Sequence, residues 1–207
     1  DKLRIADELD ELGVHFIEGG WPGANPKDIE FFERAARELR FERSTLVAFG
    51  STRRPRGKVD DDPTLRNLLD AGTSAVCIVG KSSAYHVTEA LRTTLDEGEA
   101  MVADSVRFLA DAGVRVLFDA EHFFDGWKEN PEFSLRVLEA AAEHGVETLV
   151  LCDTNGGALP HEVEAVVREI TRHFKDDVKV AVHLHVGTGC GVANALAGVR
   201  GGAVQVQ

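Results

Sequence analysis

The sequence predicts an α/β fold: a parallel (β/α)8 barrel that is incomplete, with its first strand and last helix absent. Three observations predict it. Seven short apolar runs alternate with amphipathic segments at about the pitch of βα units. The runs are mostly continuous rather than alternating, as expected of parallel strands covered on both faces. Polar residues stand at the C-terminal ends of at least five runs: Glu18, Ser51, Lys81, Glu121, Asp153–Thr154 and the histidines His183 and His185. A barrel gathers such ends into one mouth, whereas an open doubly wound sheet, the rival architecture, spreads them out. A full barrel needs eight strands and about 250 residues. This chain has 207, opens on a helix and stops on a strand, so the expectation is a single catalytic barrel domain over residues 1–207, cut short.

The elements follow in order. Lys2–Leu12 carries Leu3, Ile5, Ala6, Leu9 and Leu12 at near-helical spacing, and Gly13 suits the positive φ that ends a helix. The first strand is Val14–Gly19. The helix over Asn25–Arg40 opens on Asn-Pro, an N-cap followed by proline at the first helical position. The unit then repeats as strand Thr45–Gly50, helix Pro63–Ala71, strand Ala75–Gly80, helix Thr88–Ala112, strand Val114–Ala120, helix Pro131–Glu143, strand Thr148–Asp153, helix Pro160–Phe174, strand Lys179–Val186, helix Gly191–Arg200 and strand Ala203–Gln207. Glycine marks most handovers from helix to strand, at Gly72, Gly113, Gly145 and Gly202. The charged stretch Arg53–Asp62, RRPRGKVDDD, reads as the most mobile loop.

Composition narrows the function. A net charge of −12, from 35 acidic against 23 basic residues, argues against nucleic acid or an anionic membrane as the main partner. No apolar run approaches the roughly 20 residues that span a bilayer, and the N-terminus shows no signal-peptide pattern. Cys77, Cys152 and Cys190 lie far apart, each in or beside an apolar strand. That fits reduced thiols of a cytoplasmic protein better than disulfides, and they lack the close pairing of a zinc site.

The richest stretch is Lys179–Cys190, KVAVHLHVGTGC. Residues two apart on a strand share a face, so His183 and His185 point the same way. Two neutral imidazoles side by side bind a divalent metal; alternatively, they are two strand histidines satisfied by hydrogen bonds. In EHFFDG (121–126), Glu121 ends a strand, where a carboxylate acts as base or orients a substrate, or merely caps a loop. In CDTNGG (152–157), Asp153, Thr154 and Asn155 could hold a ligand carboxylate or form a turn. In EGGWPGANPKD (18–28), Glu18 precedes a Gly/Pro loop. Arg53 and Arg54 in FGSTRR offer paired guanidiniums for phosphate or carboxylate, or a solvated basic loop. VGKS (79–82) is not a P-loop, and no serine has an obvious paired base.

These motifs together, with HVTEALRTTL and GVANALAGVR, occur in an order that resembles the acyl-CoA Claisen-condensing synthases of the 2-isopropylmalate and homocitrate synthase family. The resemblance runs nearly end to end and is nearest the (R)-citramalate synthase branch. It implies a TIM barrel, a divalent metal (Mn²⁺, Mg²⁺, Zn²⁺ or Co²⁺), and condensation of acetyl-CoA with pyruvate or a related 2-keto acid. The parent protein is expected to be a cytoplasmic homodimer. Carried over by motif, His183 and His185 match metal ligands, Glu121 the strand-end catalytic Glu, Thr154 the contact to the keto acid's carboxylate, and Glu18 an acidic residue of the same pocket. Two departures stand out. The family's HxHND reads His185-Val186-Gly187 here, and the family's first strand, with an Arg-Asp pair whose Asp is a metal ligand, has no counterpart. The 207 residues alone are therefore expected to bind metal weakly and turn over little. A metal-dependent C–C lyase of the same superfamily, or an inactive fragment, is the alternative.

Overall fold

A computed structural model describes all residues, 1–207. Helix α1 (Lys2–Leu12) ends because Gly13 takes φ +89° and its N–H reaches the Asp10 carbonyl. Strand β1 (Phe16–Gly20) leads to α2 (Pro26–Glu38), where the Asn25 side chain accepts the Asp28 N–H at 3.0 Å ahead of Pro26. There follow β2 (Thr45–Ser51), α3 (Pro63–Asp70), β3 (Ala75–Lys81), α4 (Leu95–Asp111), β4 (Arg115–Glu121), α5 (Phe123–Glu129) and α6 (Pro131–Glu143). The order closes with β5 (Thr148–Asp153), α7 (Pro160–Phe174), β6 (Lys179–Leu184), α8 (Gly191–Gly201) and β7 (Gln205–Val206).

All seven strands are parallel and lie in the order of the sequence, each paired to the next. β1 and β7 do not pair with each other, so the sheet is an open, incomplete TIM barrel. Between the outer face of the sheet and the helices lies the main core, built on Val76, Ile78, Phe118, Leu149, Leu151 and Val182 from the strands and Leu65, Val106, Leu138 and Val167 from the helices. The alternate strand residues face inward. Phe16, Val47, Phe49, Ala75, Cys77 and Leu117 form one inner cluster, and Val150, Cys152 and Ala181 another. Burial on both faces explains the continuous apolar runs.

The structure corrects several boundaries. β1 begins at Phe16 rather than Val14. β6 stops at Leu184 rather than Val186, so His185 lies beyond the strand. The helix expected over Thr88–Ala112 is broken. A π turn covers His86–Ala90, and α4 begins at Leu95, where the Thr94 hydroxyl accepts the Glu97 N–H. Helix α5 is an addition; its seven residues are too few to show a helical period. The charged loop is anchored rather than loose. Arg53 is 4% exposed and pairs with Glu97 at 2.6 Å and Asp104 at 2.8 Å, because a buried guanidinium is tolerated only against carboxylates. Asp62 accepts the Arg54 N–H and caps α3.

Candidate active site at the strand ends

The C-terminal ends of β3 to β6 bring the polar residues together. Lys81 and Glu121 are register partners on β3 and β4, and their side chains form an ion pair. Immediately after Glu121, His122 adopts φ +58°, a left-handed conformation that a non-glycine residue holds only under constraint. Its N–H donates to the Thr154 hydroxyl at 2.9 Å, which ties the β4 end to the β5 end. The His122 ring stands against His86 with centroids 3.7 Å apart. Burial, with His122 and Lys81 close by, pushes the His86 imidazole down.

The histidine pair closes this rim. Nδ1 of His185 lies 2.7 Å from the Thr154 carbonyl, and Nδ1 of His183 lies 3.1 Å from Gln207 Oε1. A carbonyl oxygen only accepts, so each ring carries its proton on Nδ1 and leaves a lone pair on Nε2. The two Nε2 atoms face each other at 3.1 Å. Opposed lone pairs at that distance repel unless a cation stands between them. Donors of one cation with bonds of about 2.1 Å at right angles lie about 3 Å apart, so the pair fits a divalent metal. The neighbouring Asp119 carboxylate pushes the His183 imidazole up, which also favours positive charge here.

Glu18, on β1, faces the interior of the barrel rather than the rim. It lines a cavity of about 780 Å³ together with Phe16, Leu117, His183 and Gln207. Burial and the Asp119 carboxylate push its carboxyl up. A second cavity of about 360 Å³ adjoins the ion pair, lined by Trp21, Arg54, Lys81, Met101 and Glu121. Asp153 is not available to a ligand. It is 1% exposed, and its carboxylate accepts the N–H groups of Gly157 at 3.1 Å and Ala158 at 3.0 Å. Asn155 donates to Asp125 at 2.8 Å.

The departure at Val186-Gly187 has a local cause. The loops after β5 and β6 touch through their backbones, with Thr188 N–H donating to Gly156 O at 2.9 Å. A Cβ on Gly187 would overlap the Asn155 carbonyl, so a side chain there displaces the loop that carries Thr154. Val186 is two-thirds exposed.

The HMGL-like family profile matches residues 1–207, the whole chain. The chain belongs to the HMGL-like family. It is 51% identical over 206 residues to the (R)-citramalate synthase of Aquifex aeolicus and 51% over 207 residues to that of Streptomyces coelicolor. Both alignments cover all of this chain but only 39% and 38% of those proteins, so it spans about two fifths of the curated relatives' length. Its fold matches that of a crystal structure of Bacillus subtilis HMG-CoA lyase, with a TM-score of 0.77 and 23% identity, covering 100% of this chain and 68% of the other. Within this HMGL-like chain, Lys81, which the sequence placed at a strand end without a role, pairs with Glu121 at the rim, and His86 and His122 are rim residues that motif reading passed over. The signal available for Lys81 was its place at the end of an apolar run; His86 and His122 had none.

Proposed function

We propose that this chain carries the metal- and keto-acid-binding part of an acyl-CoA condensing enzyme of the (R)-citramalate synthase type. The observation that carries the reading is the pair of opposed Nε2 lone pairs of His183 and His185, 3.1 Å apart, on the rim that holds Glu121 and Thr154. Identity of about one half to the synthases supplies the substrates: acetyl-CoA and pyruvate, or a close 2-keto acid. A divalent metal held by His183 and His185 supplies Lewis-acid polarisation of the keto carbonyl.

The chain's own residues do the rest. The Thr154 hydroxyl already accepts the His122 N–H, so its own proton is free to donate to the keto acid's carboxylate. Lys81 holds the Glu121 carboxylate in place through their ion pair. Glu121 takes up the proton released by the thioester methyl, and the resulting carbon nucleophile attacks the keto carbonyl. Glu18, whose carboxyl is pushed up by burial and by Asp119, lines the interior cavity beside His183. Water then cleaves the thioester, giving citramalate and free CoA. The three free cysteines suit a reducing cytoplasm.

The test is calorimetric binding of pyruvate with and without Mn²⁺, alongside release of CoA thiol from acetyl-CoA. Pyruvate is expected to bind only with Mn²⁺ present. Thr154→Val weakens it by about tenfold, the loss of one charge-assisted hydrogen bond, and His183→Ala abolishes it. CoA release by these 207 residues is expected to be slow. Pyruvate binding that ignores Mn²⁺, or cleavage of a hydroxyacyl-CoA without any condensation, overturns the reading, the latter in favour of a lyase.

A further inference from the structure

One layer below the rim, three metal-binding side chains converge on the inner face of adjacent strands. Asp119 on β4, Cys152 on β5 and His183 on β6 each present a ligand atom, all within 4.8 Å of one another. Asp119 is 4% exposed and Cys152 5%. The only hydrogen bond Asp119 receives comes from the Cys77 thiol, at 3.2 Å to Oδ1. Its other oxygen, Oδ2, faces His183 Nδ1 at 3.8 Å, too far for a hydrogen bond. A buried carboxylate served by a single weak S–H donor is under-satisfied. Glu18 adds a second carboxyl nearby, and Lys81 at the strand end is committed to Glu121. The inner layer is therefore acidic, with Asp119 and Glu18 close to His183.

We propose that this layer is a second metal site, selective for thiophilic divalent ions such as Zn²⁺, Cd²⁺ and Co²⁺. Its ligands are Asp119 Oδ2, the Cys152 thiolate and His183 Nδ1. On binding, the Cys152 thiol loses its proton to solvent and the metal–sulfur bond replaces the S–H bond. Desolvation and the surrounding carboxyls push the free Cys152 thiol up, and a bound dication reverses that preference. A carboxylate–thiolate–imidazole set favours zinc-like ions over Mg²⁺ and Mn²⁺, which prefer all-oxygen shells. Cys77 is a positioning residue: its S–H holds Oδ1, which turns Oδ2 toward His183.

The ring edges make the two sites exclusive. His183 offers Nε2 to the rim and Nδ1 to the inner layer, and a neutral imidazole has one lone pair to give. A thiophilic ion inside must therefore release whatever the rim holds. This second half of the proposal rests on the rim reading above; the inner site does not.

Co²⁺ titration followed by absorption tests the inner site, since thiolate ligation gives an intense near-ultraviolet charge-transfer band. The wild-type chain is expected to show the band. Cys152→Ser and Asp119→Asn lose it or weaken Co²⁺ binding at least about tenfold, while Cys77→Ser and His185→Ala keep it. Co²⁺ binding without the band, or a band that survives Cys152→Ser, overturns the proposal and leaves the rim reading standing. Electron paramagnetic resonance of Mn²⁺ tests exclusivity. Zn²⁺ is expected to free bound Mn²⁺ from the wild-type chain at a concentration at least about tenfold lower than from Cys152→Ser, where it competes for the rim alone. Failure of Mn²⁺ to bind at all counts against the rim alone. Mn²⁺ retained beside a zinc-saturated inner site overturns exclusivity.

Discussion

Gly126→Ala separates two forces of opposite sign. Gly126 sits inside helix α5, where Ala exceeds Gly in intrinsic helix propensity by about 1 kcal/mol. Propensity alone therefore predicts a more stable protein. The surroundings predict the reverse. A Cβ at this position would stand 2.7 Å from Ser82 O, 2.8 Å from Ser83 Cα and 2.9 Å from Ser134 Oγ. Two of these atoms are backbone and cannot rotate away, and Ser134 is itself fixed by a 2.7 Å bond to Ser82 O. Overpacking of this kind costs about 3 kcal/mol, the upper end of the usual range. The net loss is about 2 kcal/mol, or a fall in Tm of about 4–8 °C for a chain of this length. Relief requires moving α5 away from the β3 end. Ser82 donates both its N–H and its hydroxyl to Glu121 O, so the Lys81–Glu121 pair would move as well. Differential scanning calorimetry reads the first effect and Mn²⁺-dependent pyruvate binding the second. An unchanged or raised Tm would show that the close approach at Gly126 does not constrain the fold.

Three further predictions follow from named contacts. Asp153→Ala leaves the Gly157 and Ala158 N–H groups without their acceptor, which costs about 2–3 kcal/mol; urea denaturation should show a lower midpoint, and an unchanged midpoint contradicts the buried role. Arg115, foremost, and Lys179 hold the Glu147 carboxyl down to about 2. That depression stabilises the fold above the ordinary carboxylate value of 4.5 and is lost as pH falls from there toward 2. Because both cations are partly exposed, Glu147→Gln should cost only about 1–2 kcal/mol at pH 7, with the gap to wild type closing in acid; a gap constant from pH 7 to pH 3 refutes the ion-pair account. Arg53→Met strips Glu97 and Asp104 of their buried partner, so it should destabilise by about 3 kcal/mol or more, whereas Arg54→Met, at an exposed position, should stay within about 0.5 kcal/mol.

The fold was legible because each βα handover carries its own chemistry. Gly13 and Gly202 take the left-handed turn their positions require, and Asn25 and Asn130 cap helices that begin on proline. Continuous apolar strands announced a sheet covered on both faces. Elements shorter than their own period were not legible. Helix α5 spans seven residues, and the π turn at His86–Ala90 interrupts a stretch whose apolar spacing reads as one helix. The charged loop misled for a different reason. Sequence shows that Arg53 is charged, but only packing shows Glu97 and Asp104 arriving from α4 to bury it.

The histidine pair is the instructive case, because the period-two rule placed the two rings together through only part of the cause. His183 lies in β6 and points inward as strand geometry requires, but His185 lies past the strand end, where alternation no longer governs. What returns its ring to the same side is the Thr154 carbonyl, delivered by the neighbouring β5 loop. That loop is held in turn by Asp153 from beneath and by the glycine contact at Gly156 and Gly187. The orientation of the His185 ring is thus fixed by a residue 31 positions away. The same contact explains why a glycine follows Val186. With the backbones of two loops pressed together, a side chain at 187 and the Thr154 carbonyl at its present position exclude each other. Reintroducing a carboxylate at 187 to strengthen the rim should therefore loosen His185 before it adds any support for the metal.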